Sequence, residues 1–251
     1  MKIIDRIIKE YEYLTKKDWS FEEIGKFWDK TIDYDEINEK TYSYFKRFTD
    51  AFKSCQLPDQ SYVLDICSRT GKGTLFFWQK GKVRKAVCAD VSEEMQKICQ
   101  KLLSDAGVNF QTKLLRSLPF PFPNDEFETI LCFESIEHVS KPGPFIKELS
   151  RVAKKGAKVV ITTPNLLWEP MHSFAAIVGF HHSEGPHHFI SRKKLHRFIK
   201  EAGLSIIKEE TTILIPTGPK FLIKFGEWFE TKFKNSLMPW LGLRRIFICT
   251  K

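Results

Sequence analysis

The sequence has no long apolar run, and this absence sets the first limits on its function. Its longest apolar stretch, residues 174–180, makes about two helical turns, whereas a membrane-spanning helix needs about 20 apolar residues. The first residues are charged and lack the apolar centre of a signal peptide, so we expect a cytoplasmic protein. The six cysteines are scattered without a Cys-x-x-Cys pair, so we expect free thiols and no structural zinc site.

Glycine is scarce, basic residues outnumber acidic ones, and aromatic residues are abundant. The chain has 13 glycines against 22 phenylalanines and six tryptophans, and its formal net charge is +9. Such a surplus suggests an anionic partner, which is nucleic acid, a lipid surface or a phosphorylated substrate. Because the aromatic residues are not interleaved with basic ones as a base-stacking surface requires, we expect no nucleic-acid partner.

The chain has two regions with different sequence patterns. Residues 1–55 read as a helical N-terminal extension, with helices predicted over 2–15, 21–30 and 36–54 and a capping box formed by Ser20 and Glu23. From residue 61 onward, short β-branched runs alternate with helical patterns. This alternation predicts an α/β domain over 56–251 whose doubly wound parallel sheet is covered on both faces.

The first predicted strand runs into a loop of candidate ligand-binding residues, D-I-C-S-R-T-G-K-G at 65–73. In a doubly wound sheet this strand ends at the crevice where ligands meet backbone amides and a helix N-terminus. Asp90 ends the second strand, where a carboxylate can accept hydrogen bonds from ribose hydroxyls. The loop lacks the third glycine of G-x-G-x-x-G, and the Walker pattern also fails, so neither a nicotinamide nor a P-loop site is predicted.

The loop resembles motif I, D-x-G-x-G-x-G, of the class I S-adenosylmethionine-dependent methyltransferase superfamily. Five further segments resemble this family in the same order: D-V-S-E-E-M at 90–95, L-P-F with F-E-T-I at 118–130, E-S-I-E-H-V at 134–139, R-V-A-K-K-G-A at 151–157 and T-T-P-N at 162–165. Within the superfamily, the chain resembles ubiquinone-biosynthesis O-methyltransferases. The resemblance implies a Rossmann-like seven-stranded sheet with an antiparallel last strand, behind a helical N-terminal cap.

The resemblance also implies a binding site for S-adenosylmethionine or S-adenosylhomocysteine. Its residues would be Asp65, Cys67, Arg69 and Gly71 at the methionyl end, Asp90 at the ribose, and Val91 and Phe133 near the adenine. The chain departs from the motif at Cys67 and Arg69, where the family has glycines that allow close backbone approach. Either the loop binds the cofactor differently, with Arg69 pairing with the methionyl carboxylate, or the protein is a non-catalytic binding protein of this fold.

The segment at 134–139 carries two further expectations. In the resembling enzymes its glutamates and histidine are associated with a divalent cation, which implies a metal site of Glu134, Glu137 and His138; alternatively, these residues only open a helix and orient the loop. An oxygen acceptor also needs a base. The candidate bases are His138, His187 and His188, with His181 and His182 as further candidates.

The C-terminal region carries much of the surplus of charge and rings. Residues 213–251 contain seven basic and two acidic residues, a net +5, and a predicted helix over 220–234 aligns five aromatic residues on one face. These are Phe221, Phe225, Trp228, Phe229 and Phe233. This face either makes a peripheral membrane contact through 219–242, or it belongs to the core or covers the acceptor pocket. The expected function is in-line methyl transfer to a small or lipid-like acceptor, at oxygen.

Overall fold

Seven strands form one sheet in this computed structural model, which describes residues 3–39, 41–179 and 183–251. The order is β3-β2-β1-β4-β5-β7-β6, and β7 runs antiparallel to both of its neighbours. The predicted α/β sheet with an antiparallel last strand is therefore confirmed. The strands are β1 (Ser61–Ile66), β2 (Val83–Asp90), β3 (Phe110–Leu114), β4 (Phe127–Phe133), β5 (Ala153–Pro164), β6 (Ser205–Thr212) and β7 (Arg244–Thr250).

The strand order places a crevice between β1 and β4. The chain passes from β1 to β2 and β3 in one direction, and then returns to β4 and β5 on the other side of β1. Right-handed crossovers therefore place helices on both faces of the sheet, and the carboxyl ends of β1 and β4 flank the point where the order reverses. The crossover helices are α5 (Lys72–Gln79), α6 (Glu93–Asp105), α7 (Pro142–Val152) and α9 (Arg192–Glu201).

Four helices precede the sheet: α1 (Ile3–Thr15), α2 (Phe21–Asp29), α3 (Tyr34–Asn38) and α4 (Tyr42–Ser54). The predicted capping box of α2 is confirmed, with Ser20 N donating to the Glu23 carboxylate and Glu23 N donating to Ser20 Oγ. The prediction of one helix over 36–54 is wrong. Asn38 Nδ2 donates to Tyr34 O and Thr41 Oγ1 donates to Asn38 O, both at 2.7 Å. Side chains thus form hydrogen bonds with backbone carbonyl oxygens at the break between α3 and α4.

A helical segment that the sequence patterns did not predict follows β5. It consists of a short 3-10 helix at Leu166–Trp168 and α8 (Glu169–Val178). Two more helices, α10 (Lys220–Lys232) and α11 (Met238–Leu241), precede β7. Within the described ranges, no helix combines the length and apolarity needed to cross a bilayer.

Candidate active site

The loop between β1 and α5 holds a left-handed backbone at two residues that carry side chains. Cys67 and Arg69 have φ values of +54° and +50°, and Gly71 has +81°. A residue with a Cβ pays roughly 1–3 kcal/mol for this conformation, which persists only where the surroundings enforce it. These are the positions at which motif I of the resembling family has glycine, so the loop keeps a glycine-like path with two added side chains.

Two carboxylates anchor this loop at the ends of β1 and β2. Asp65 accepts hydrogen bonds from the N and Oγ1 of Thr74, at 3.1 and 2.7 Å. Asp90 accepts from the backbone N of Arg69 at 2.7 Å and of Ser92 at 2.9 Å. Burial raises the pKa of Asp65 to about 7 and also raises that of Asp90. Both residues therefore lie at the edge of the sheet where the sequence placed them, and they hold protein groups there.

The side chain of Arg69 fills the space in front of the loop. Its guanidinium carbon lies 4.5 Å from the ring centroid of Trp28 and 4.6 Å from that of Tyr34. Its Nη2 donates to the carbonyl oxygen of Glu134 at 3.2 Å. Its Nη1 is buried and has no hydrogen-bond partner among the residues that the structure describes. The Arg69 guanidinium thus makes cation–π contacts with both rings, and its Nη1 donor remains unused in the described structure.

Two cavities of about 20 Å³ each flank Arg69. Val91 lines one and Phe133 the other, so the expected adenine pair is divided between them. The Phe133 ring stacks on Phe77, with centroids 5.8 Å apart, and belongs to the core. The Val91 carbonyl lies under α2, where a Cβ on Gly25 would come within 2.3 Å of its oxygen. Phe133 is packed in the core and the Val91 carbonyl is covered by α2, so the two residues do not line one common pocket.

The hydrogen-bond donors around the loop are nevertheless of a type that binds a carboxylate, such as the one at the methionyl end of S-adenosylmethionine. In the described part of the chain, Arg69 Nη1, Arg47 Nε and Ser68 Oγ are buried without a partner. A carboxylate accepts several such bonds and pairs well with guanidinium groups. The two small cavities cannot hold the whole molecule. If the cofactor binds at this loop, the Arg69 side chain and α2 have to move.

Glu134 is the centre of a buried ion-pair cluster between the loop and the last strand. Its carboxylate accepts from Arg244 Nε at 2.5 Å and lies 3.4 Å from Arg47 Nη1. Burial alone would raise the pKa of Glu134, but Arg244 and Arg47 outweigh it and lower the pKa to about 2. The carboxylate is thus ionised and already paired.

The structure does not assemble the metal site that the resemblance implied. Glu134 pairs with arginines, and Glu137 accepts from Thr163 Oγ1 at 3.0 Å. Burial and the nearby charge of Glu134 raise the pKa of Glu137 to about 8, which favours its protonated form at neutral pH. His138 Nδ1 donates to Pro186 O at 2.9 Å. Across the described ranges, no group of three or more histidine, cysteine, aspartate or glutamate side chains could hold a metal ion.

A cavity of about 540 Å³ lies beside this cluster. It is enclosed by α3, α4 and α8 and by the segments next to β5 and β7. Its apolar lining includes Pro164, Met171, Ala175, Phe189, Pro216 and Leu243, and its polar lining includes Tyr44, Arg47, Glu134, Glu137, His138 and Arg244. Because Arg47, Glu134 and His138 also line the small cavities flanking Arg69, the large cavity adjoins the candidate cofactor cleft. Its size is that of a small-molecule site.

The candidate histidines are divided by this geometry. His138 lines the cavity, whereas His187 and His188 are absent from its described lining. His187 is buried, with Nδ1 donating to Gly185 O at 2.7 Å. The ring of His188 contacts Lys16 and Lys17, in the segment between α1 and α2. His181 and His182 lie outside the described residues.

One histidine is present in the cavity lining without having been predicted as a base, namely His172.

Sequence reasoning also missed Arg47 and Arg244. A signal for Arg47 was present, since it lies within the buried stripe of α4 that includes Tyr44, Phe48 and Ala51. A charge within a helical apolar stripe indicates a buried ionic partner. Nothing comparable marks Arg244, whose partner Glu134 is 110 residues away in the chain.

Comparison with known proteins defines the class of this chain. A family model described as a methyltransferase domain matches residues 35–209, so the chain belongs to the methyltransferase domain family. This confirms the predicted resemblance to class I S-adenosylmethionine-dependent methyltransferases, and S-adenosylmethionine is the cofactor that the family implies.

The particular relatives are similar over part of their length. The ubiquinone/menaquinone biosynthesis C-methyltransferase UbiE of Ralstonia pickettii is 29% identical over 119 residues, or 47% of this chain and 49% of the relative. UbiE of Ralstonia nicotianae is 26% identical over 159 residues, or 62% and 65%. The chain therefore spans less than two-thirds of the length of these relatives. The crystal structure of the [4+2]-cyclase SpnF has a TM-score of 0.66 and 14% identity, covering 93% of this chain and 97% of that one, and it shares the fold.

Proposed function

We propose that the protein transfers a methyl group from S-adenosylmethionine to a small, largely apolar acceptor that carries a hydroxyl group. The observation that carries the proposal is the 540 Å³ cavity, whose lining includes residues of the candidate cofactor cleft. When bound, the cofactor supplies a methyl group activated by its sulfonium. The protein therefore needs mainly to align the acceptor, and positioning provides much of the acceleration.

The cavity lining supports an acceptor that is apolar over most of its surface. Met171, Ala175 and Phe189 offer aliphatic and aromatic contacts, and a cavity of about 540 Å³ accepts a substituted ring or a short lipid. The charged side chains Arg47, Glu134 and Arg244 of the lining belong to the ion-pair cluster on the cofactor side. A hydroxyl group directed toward this cluster would approach the reacting methyl group.

His138 is the residue that we propose as the base. Because a carbonyl only accepts hydrogen bonds, the contact with Pro186 O places the proton on Nδ1 and leaves Nε2 to accept one. Burial, assisted by the charge of Arg69, lowers the pKa of His138 to about 4, so the ring is neutral at physiological pH. Glu137 is the competing base, and it would act only as pH rises through its pKa of about 8.

Oxygen is the methyl acceptor expected from the sequence, while both UbiE relatives are named C-methyltransferases. Removal of a hydroxyl proton serves either outcome, because it makes the oxygen itself and the adjacent ring carbons more nucleophilic. The position of a labelled methyl group in the product of a probe hydroquinone, read by NMR, distinguishes the two.

Calorimetry with S-adenosylhomocysteine, followed by methylation of catechol and hydroquinone probes across pH, tests the proposal. Cofactor binding and a rate that is constant above about pH 5 support His138 as the base. A rate that rises through about pH 8 and is abolished by Glu137→Gln assigns the base to Glu137. No binding at millimolar S-adenosylhomocysteine, with the fold intact by circular dichroism, overturns the enzymatic function.

A non-catalytic binding protein of the same fold is the second candidate. The occupation of the cofactor cleft by Arg69 favours it, since this side chain leaves cavities of only about 20 Å³. The calorimetric measurement decides between the two functions before any acceptor is identified.

A further inference from the structure

Helix α1 is oriented in the reverse sense from an ordinary surface helix. Its buried residue is Glu10, which is only 3% exposed and accepts a hydrogen bond from Ser183 Oγ. Its apolar residues, including Ile4, Ile8 and Tyr11, are 47–70% exposed. An amphipathic helix on a water-soluble surface buries its apolar stripe. The apolar residues of α1 are therefore left at the surface of the described chain.

The helix packed against α1 continues this apolar surface. Arg6 Nη1 donates to Ile177 O at 3.5 Å, which joins α1 to α8. Met171 and Phe174 of α8 are 58% and 61% exposed. Met171 also lines the 540 Å³ cavity, so the exposed surface reaches the cavity wall.

Residues on the aromatic face of α10 and α11 are also exposed. Phe221 and Trp240 are 69% and 66% exposed, and Gly226 is the buried residue of α10. Trp168 Nε1 donates to Leu241 O at 2.8 Å, which ties the 3-10 helix before α8 to α11. The expectation that this face covers the acceptor pocket is not met, because the described cavity lining contains no residue of α10.

We call these exposed residues the apolar collar. It comprises Ile3, Ile4, Ile7, Ile8 and Tyr11 of α1, Leu166, Leu167, Met171, Phe174 and Val178 around α8, and Phe221, Leu222, Phe225, Trp228, Leu237, Trp240 and Leu241 of the α10–α11 region. Large exposed apolar surface of this kind marks an interaction site.

The charged residues beside the collar indicate which kind of partner it binds. On α10, Glu227 accepts from Tyr42 Oη at 2.7 Å and Glu230 accepts from Leu214 N at 3.1 Å, so both acids are engaged by the protein. The lysines of this helix are exposed, and Lys232 Nζ lies 4.9 Å from the Trp228 ring. The face therefore presents aromatic rings with cations, the pattern that suits an anionic lipid surface. A two-fold dimer through the same face would oppose these lysines to each other.

We propose that the apolar collar docks on a bilayer with anionic headgroups. Resting on the proposed function, the acceptor enters the 540 Å³ cavity from the bilayer past Trp168 and Met171, which belong to the wall nearest the collar. The docking is peripheral, with side chains of α1, α8, α10 and α11 inserted among the headgroups.

Co-sedimentation of the full chain with vesicles tests this surface. Vesicles of equal parts phosphatidylglycerol and phosphatidylcholine should bind the protein, pure phosphatidylcholine should bind it weakly, and salt should reduce binding. Phe225→Asp should abolish binding, whereas Ile207→Asp, an equally exposed site on β6, should not. The Lys220→Gln/Lys224→Gln pair should reduce binding about thirtyfold, at roughly 1 kcal/mol per lysine. Lys193→Gln/Lys194→Gln on α9 is the matched control.

Three results would overturn the docking proposal. The first is that the protein does not bind anionic vesicles at low salt. The second is that Phe225→Asp and Ile207→Asp lose vesicle binding equally. The third is a dimer in sedimentation that Phe225→Asp converts to monomer, without any vesicle binding. Circular dichroism and thermal melts keep loss of fold apart from loss of docking. S-adenosylhomocysteine binding should be unchanged in Phe225→Asp. If the cofactor binds and vesicles do not, only the docking proposal fails; if vesicles bind and the cofactor does not, the proposed function fails.

Discussion

Arg69 donates its backbone N–H to the carboxylate of Asp90 across 2.7 Å. This bond links the place of a motif I glycine to the aspartate that was expected to hold the ribose. An ionised carboxylate has about four acceptor sites, of which Asp90 uses two, for Arg69 and Ser92. It therefore keeps capacity for a ribose hydroxyl once the covering helix α2 moves. The Arg69 side chain, rather than Asp90, occupies the space in front of the loop.

Arg69→Ala should weaken the binding of S-adenosylhomocysteine by about 10- to 100-fold. The unpartnered Nη1 would bond the ligand carboxylate, and a charged hydrogen bond contributes roughly 1.5–3 kcal/mol. Methylthioadenosine lacks this carboxylate, so its affinity should change by less than about threefold. Calorimetry with both ligands measures the difference, and Arg197→Ala on the exposed face of α9 is the control. If the variant binds both ligands more tightly, Arg69 is an obstruction and not a ligand.

Gly25→Ala should loosen the contact between α2 and the end of β2. The added Cβ would meet Val91 O at 2.3 Å, and such overpacking costs about 1–3 kcal/mol of unfolding free energy. Urea denaturation measures this cost, and hydrogen exchange in α2 should increase. Lys26→Ala, one residue further and exposed, should change stability by less than about 0.5 kcal/mol. Equal stability of the two variants would show that α2 does not press on Val91.

The effect of Glu137→Gln on the free energy of unfolding should be more stabilising at pH 7.5 than at pH 5. The folded pKa of Glu137 is raised to about 8 from its usual 4.5. The folded state thus retains a proton that the unfolded chain has lost, and wild-type stability falls as pH rises from about 4.5 toward 8. Glutamine removes this dependence, with a differential effect on the order of 2 kcal/mol. Urea unfolding of both proteins at the two pH values tests the sign, which reverses if Glu137 is ionised in the folded state.

Glu134 and Arg244 should show strong coupling in a double-mutant cycle. Either Glu134→Gln or Arg244→Met alone leaves a buried charge without its 2.5 Å partner and should cost about 3–5 kcal/mol. The double variant should cost less than the sum of the two single variants. Additive single effects would show that the pair contributes nothing as a pair.

Methyl transfer should persist after exhaustive chelation. The oxygens of Glu134 are held by Arg244 and Arg47, and no competent metal cluster is found in the described ranges. The rate with EDTA, compared with the rate after adding back Mg²⁺, measures this directly. Loss of activity that the cation restores would reinstate the metal site at Glu134, Glu137 and His138.

The sequence predicted those parts of the molecule that depend on local pattern. The alternation of β-branched runs with helical periods predicted the sheet, and the capping box placed the start of α2. The break between α3 and α4 escaped notice because the competing hydrogen bonds of Asn38 and Thr41 are not visible in apolar periodicity. Helix α8 escaped because the stretch from residue 169 to 178 is apolar around most of its circumference, without a clear stripe.

By itself the sequence determined the family, the topology of the sheet and the loop at which the cofactor is expected, since these follow from motif order and spacing. Only the tertiary structure decided the partners of Glu134 and the separation of Val91 from Phe133. It also left His187 and His188 outside the described lining of the cavity. It also decided that α1 buries Glu10 and exposes its isoleucines. Periodicity shows that a helix has an apolar face, but the direction of that face depends on contacts with residues more than 170 positions away.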